Sequence, residues 1–98
     1  MKDWKFADPE NVAVFSTRAV VIERKPIITV FHDDDDGSWQ FHHEKEPVEK
    51  NAMVVGLSEI IDIDETIKEL ADLPMGWLAW REAIGTPWHR KKNQGRAV

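Results

Sequence analysis

The residues best suited to chemistry are four consecutive aspartates, Asp33-Asp34-Asp35-Asp36, followed by Gly37. Clustered carboxylates suit hard cations such as calcium. An EF-hand loop needs Asp at its first position, Asp or Asn at the third and fifth, Gly at the sixth and Glu at the twelfth. Placing Gly37 sixth puts Asp34 and Asp36 correctly. His32 then falls first and His43 twelfth, so both ends fail. A looser divalent-cation site on Asp33–Asp36 stays open as the alternative reading. Side chains of like charge about 4 Å apart repel by roughly 1 kcal/mol in water. Such a run is therefore solvated, neutralised or matched by a partner. A solvated turn and a partner-binding acidic patch are the other two readings.

The histidines do not complete a metal set. If Phe31 pairs with Trp39, His42 falls opposite Ile28 and His43 opposite Ile27. His32 is then about four residue pairs away, roughly 13 Å at about 3.3 Å per residue. Shared ligation by His32, His42 and His43 would need another register. No nucleophile stands out either. Ser16, Ser38 and Ser58 lack a G-x-S-x-G setting, there is no Cys, and the five Gly form no phosphate loop. The sequence predicts no catalytic residues, no metal ligands and no cofactor, so the chain is not expected to be an enzyme.

Trp77, Trp80 and Trp88 lie close to Arg81 and Arg90. Trp and Arg are the usual anchors of binding faces. They also stack on each other within folds. Trp77 or Trp80 is expected in the core. Trp88, beside Pro87, is the one expected to stay partly exposed and touch a partner.

The chain that must position these groups has 98 residues, enough for one domain with one core. Five Trp and four Phe supply much of its apolar surface. The net charge is -5. Residues 1–89 hold nine basic and eighteen acidic residues, whereas the last nine residues hold Arg90, Lys91, Lys92 and Arg96 and no acid. An acidic body argues against nucleic-acid binding and fits a basic protein partner. The absence of Cys fits a reducing, cytoplasmic setting. No apolar leader or span of about 18 residues is visible, so no membrane partner is expected.

Residues 12–16 form a β-rich run. Residues 18–25 read either as its extension or as a short helical connection. Ile27 to Phe31 is continuously apolar, as in a strand covered on both faces. Ser38 to His42 alternates, with Trp39 and Phe41 on one side. These two runs with the acidic turn between them read as a hairpin. Ala52 to Leu57 is a further strand. A turn over 58–61 and one true helix over about 65–72 follow, with Ile63, Ile67 and Leu70 on one face. Pro74 and Gly76 end that helix. Trp77 to Arg81 can be a strand or a helical turn. The expected fold is α+β: a small, mostly antiparallel sheet with one main helix packed on it. Residues 1–90 form the domain. Residues 91–98 are expected to be a disordered basic tail, since they carry little apolar surface.

The run Asn11 to Arg18, the strand Pro26 to His32, the turn Asp36-Gly37-Ser38-Trp39-Gln40-Phe41 and the segment Leu57 to Asp64 resemble a small bacterial domain of unknown function (catalogue family 2185). Part of that family is labelled an immunity-protein domain of polymorphic toxin systems, the immunity-protein-33 type. The likeness spans most of residues 11–90. Its sharpest element is a D-x-G-W-x-F turn, into which this chain inserts Ser38. The resemblance implies a binding protein whose acidic surface blocks a toxin; the residues themselves make Asp33–Asp36 the candidate contact. It brings no catalytic residues.

Overall fold

The computed structural model describes residues 4–46 and 52–93. Six strands form one sheet: β1 (Ala13–Thr17), β2 (Thr29–His32), β3 (Trp39–His42), β4 (Ala52–Gly56), β5 (Trp77–Trp80) and β6 (His89–Lys92). Their spatial order is β4-β1-β3-β2-β5-β6. Two short α-helices, α1 (Arg18–Val21) and α2 (Leu57–Ile63), and a 3-10 helix (Glu65–Leu70) complete the described elements.

The sheet is mixed rather than mostly antiparallel. β1 runs parallel to β3, while the other four pairings are antiparallel. The reason lies in residues 18–28. Thr17 caps α1 by accepting from the Val20 N–H at 3.4 Å. The chain leaves α1 through Arg24, whose φ of 60° is left-handed. This connection carries β2 one strand position beyond β1. The hairpin then folds β3 back into the gap, alongside β1 in the same direction.

The apolar run behaves as its composition requires. Ile27, Ile28, Thr29, Val30 and Phe31 are all buried. β2 sits between β3 and β5, and every side chain of the run is removed from water. On the helix-covered face, Val14, Val30, Phe41 and Ala79 pack with Val20, Leu57, Ile60, Ile67 and Leu70.

The helical segment is inverted relative to expectation. The α-helix spans Leu57–Ile63, and the expected helix over 65–72 is a 3-10 helix. Two physical causes are visible. Asp64 is extended (φ −149°, ψ 100°), which interrupts the helix. Ile67, Leu70 and Leu73 are then buried at a spacing of three, the period of a 3-10 helix. In α2, Leu57, Ile60 and Ile61 follow the wider α spacing.

The basic tail also begins later than position 91. Lys91 and Lys92 belong to β6, opposite Leu78 and Trp77, and Asn93 N–H donates to the Gly76 carbonyl at 2.7 Å. A backbone ladder needs no apolar side chain, so composition alone misjudged these residues. Trp80 stacks on His89 (5.3 Å between centroids), and Arg90 pairs with Asp72 at 2.8 Å. Residues 94–98 of the expected tail lie outside the described residues.

Candidate interaction site

The acidic turn is the tip of the β2–β3 hairpin. Its register is Thr29 opposite His42, Phe31 opposite Gln40 and His32 opposite Trp39. This is one residue from the expected pairing of Phe31 with Trp39. His42 therefore faces Thr29, not Ile28. The turn sets the difference: Asp33 N–H donates to the Ser38 carbonyl at 2.8 Å, and Gly37 N–H to the Asp33 carbonyl at 3.1 Å. Gly37 takes φ 75°, open to glycine at little cost.

Beneath the tip is an aromatic anchor. Trp39 is buried and stacks on His32 at 3.8 Å with 14° between planes. Phe6 meets the Trp39 ring edge-on at 5.3 Å. The indole N–H donates to Asp8 Oδ2 at 2.9 Å. His32 Nδ1 lies 2.7 Å from the Leu73 carbonyl. A carbonyl only accepts, so Nδ1 carries the proton. The Gly76 N–H donates to the His32 carbonyl at 2.6 Å. The tip is thus tied to both the N-terminal segment and the turn before β5.

The carboxylates of Asp33, Asp34 and Asp36 have different neighbours. Asp33 Oδ2 accepts from Gln40 Nε2 at 2.7 Å, and Gln40 Oε1 faces His42 Nε2 at 3.0 Å. Burial pushes the Asp33 carboxyl above its ordinary value. The charges of Asp35 and Asp36 push the same way, against the Gln40 hydrogen bond and His32. Asp34 packs on Gly76: a Cβ there would lie 3.3 Å from the Asp34 Cβ. Asp36 Oδ1 accepts from the Ser38 N–H at 3.0 Å. That bond is the main reason its carboxyl is held below the ordinary range. Asp34, Asp35 and Asp36 face solvent. Among the described residues, no group of three or more His, Asp or Glu side chains is arranged to hold a metal ion.

A residue that sequence reasoning passed over completes the surface. Met75 is 57% exposed, and its Sδ would lie 3.3 Å from a Cβ at Gly37. Pro74-Met75-Gly76 read only as a helix stop, and nothing local in the sequence places it against a turn some forty residues away. Lys92 lies at the same end of the sheet, opposite Trp77, which itself opposes His32.

Trp88 is not beside the acids. It is half-buried against the core, with the Arg81 guanidinium 4.2 Å from its ring centroid. Trp77 also packs on the core. Trp80 lies on the opposite sheet face, where a shallow groove is lined by Thr29, Phe31, Lys45, Leu78, Trp80 and Lys91. No helix among the described residues is long and apolar enough to cross a membrane.

Comparison with protein-family models, with curated proteins and with solved structures finds no match to this chain.

Proposed function

We propose that this protein is a small interaction module of the immunity-like kind, which engages a basic protein surface through its hairpin tip. One observation carries the reading. Asp34, Asp35 and Asp36 are exposed around Met75, on a turn held from below by the buried Trp39–His32 stack. Charge steers such an encounter and sets its specificity. An exposed apolar side chain among the charges supplies an anchor. The turn is held by its own Asp33–Ser38 and Gly37–Asp33 backbone hydrogen bonds, which lowers the cost of association. The resemblance seen in the sequence supports the same reading. Trp88, under Arg81, serves the fold in this proposal and not the contact. The alternative, a divalent-cation site on Asp33–Asp36, has no observation in its favour.

The test is affinity capture from the native host at low and moderate salt. The bait is the wild-type chain, compared with Asp34→Asn/Asp35→Asn/Asp36→Asn and, separately, Met75→Ser. A basic protein retained by the wild type, released by salt and lost with the triple variant is the expected result. Capture of the same protein, with the same salt response, by wild type and triple variant would overturn the proposal.

A further inference from the structure

The two edges of the sheet differ in charge. β6 reads His89-Arg90-Lys91-Lys92 and is exposed throughout. Two such strands side by side repel, which guards that edge against pairing. β4, at the other edge, reads Ala52-Met53-Val54-Val55-Gly56, with no charge and no proline. No described residue pairs with its outer side.

The backbone groups on that outer side follow from the register. Leu57 N–H donates to the Val12 carbonyl at 2.9 Å, one step beyond the Gly56–Ala13 pair. Antiparallel pairs alternate between bonded and non-bonded, so Val55 and Met53 bond to β1. Ala52, Val54 and Gly56 therefore point their N–H and C=O groups outward. The Gly56 N–H is taken by Glu59 Oε2 at 3.0 Å. The Gly56 carbonyl, at the N-cap of α2, accepts the first bond of that helix. The N–H and C=O of Val54 and the same pair on Ala52 face the open edge.

We propose that this edge pairs with β4 of a second copy of the chain, antiparallel, about a two-fold axis at Val54. The strand is complementary to itself in that arrangement. Val54 and the partner's Val54 exchange two backbone hydrogen bonds. The side chains agree. Phe15 pairs directly with Val54 and shares its face of the sheet. These two are among the exposed large apolar residues, at 39% and 62%. The two-fold sets Phe15, Val54, the partner's Val54 and the partner's Phe15 in one row across four strands. The ends match in charge as well. Arg18 follows Thr17, which pairs with Ala52, whereas Glu59 lies at the Gly56 end. Antiparallel pairing brings the Arg18 end of one copy to the Glu59 end of the other. One strand per copy makes an interface smaller than the standard of about 800 Å² per partner, so the dimer is weak and concentration-dependent.

Sedimentation equilibrium of the full chain from micromolar to millimolar concentration tests this. The wild type is expected to rise from the 11.3 kDa chain mass toward twice that value. Val54→Lys sets two like charges together at the axis and is expected to weaken association at least about tenfold. Val54→Pro removes an N–H that β1 does not use, and an edge strand tolerates proline. It is expected to act similarly. Near-UV circular dichroism reports whether each variant keeps the fold, and the Lys variant stands if the Pro variant unfolds. Lys92→Val, on the far edge, is expected to leave this association in place. A wild type that stays at 11.3 kDa at millimolar concentration overturns the proposal and leaves the edge to a strand of another protein. A dimer equally strong in folded Val54→Lys overturns it too.

Discussion

Arg81 Nη2 donates to Asp64 Oδ2 at 2.6 Å, with the two side chains only 1% and 8% exposed. Two further hydrogen bonds hold the guanidinium in place. Arg81 Nε donates to the Ile27 carbonyl at 3.0 Å and Nη1 to Thr66 Oγ1 at 2.9 Å. Thr66 in turn donates through both N–H and Oγ1 to Asp64 Oδ1. The pair joins the end of β5 to the residue that separates α2 from the 3-10 helix. It therefore fixes the helical layer against the sheet.

Removing one partner leaves a buried charge without its counter-ion, which costs about 3–5 kcal/mol. Asp64→Asn is expected to destabilise by that order, because the amide cannot neutralise Arg81. Arg81→Met/Asp64→Leu is expected to lose less than the two single changes together. Urea unfolding of the four proteins gives the coupling. A loss below about 1 kcal/mol for Asp64→Asn would show that water reaches the guanidinium.

Gly76 has φ 85° and touches Asp34 where a Cβ would stand. Gly76→Ala meets both obstacles. The left-handed backbone alone costs about 1–2 kcal/mol for a residue with a side chain. Gly37→Ala pays the same backbone cost at φ 75°, but the neighbour at 3.3 Å is the Sδ of a flexible, exposed methionine. Gly76→Ala is therefore expected to be the more destabilising of the two. Thermal unfolding of both variants decides the order. The reverse order would mean that Asp34 swings aside more easily than Met75.

The sequence was most legible where pattern and burial coincide. The run Ile27 to Phe31 and the alternation of Trp39 and Phe41 each point to what is observed, because strands with a buried face leave a period in the chain. The register slipped by one because Ser38 is part of the turn, whose Asp33–Ser38 and Gly37–Asp33 bonds no periodicity encodes. The 3-10 helix was hidden because a spacing of three at Ile67 and Leu70 also fits an α-helix. Arg81 was legible only as a binding or stacking residue. Its ion partner lies seventeen residues away, and nothing at either position marks them as a pair. Met75 joined the acidic tip through tertiary contact alone.

The anchor under the tip depends on a polar contact as well as on packing. Asp8 accepts from the indole N–H of buried Trp39 at 2.9 Å. Asp8→Ala strands that donor, which costs about 1–3 kcal/mol. Asp8→Asn keeps an acceptor oxygen and is expected to cost less. Trp39 fluorescence cannot be isolated among five Trp, so denaturant unfolding is the suitable readout. Equal stability of Asp8→Ala and wild type would mean that solvent satisfies the indole.

Asp33 and Asp72 are expected to give opposite pH responses. Burial raises the Asp33 carboxyl above 3.8, so the folded chain holds its proton more tightly than the unfolded chain does. Stability from this group is present in acid and is lost as pH rises through the range just above 3.8. Asp72 is the reverse. The hydrogen bond and charge of Arg90 hold its carboxyl below 3.8, so its contribution is present above that value and is lost as pH falls through the lowered one. Asp33→Asn keeps the side-chain shape and removes the titration. Urea unfolding from pH 4 to 7 should therefore show Asp33→Asn gaining on the wild type as pH rises. Asp72→Asn should already trail the wild type at pH 4 by a gap that stays flat to pH 7 and closes only as pH is taken below 3.8. Parallel curves for Asp33→Asn and wild type would show that the carboxyl is solvated at the tip, with Gln40 offsetting its burial.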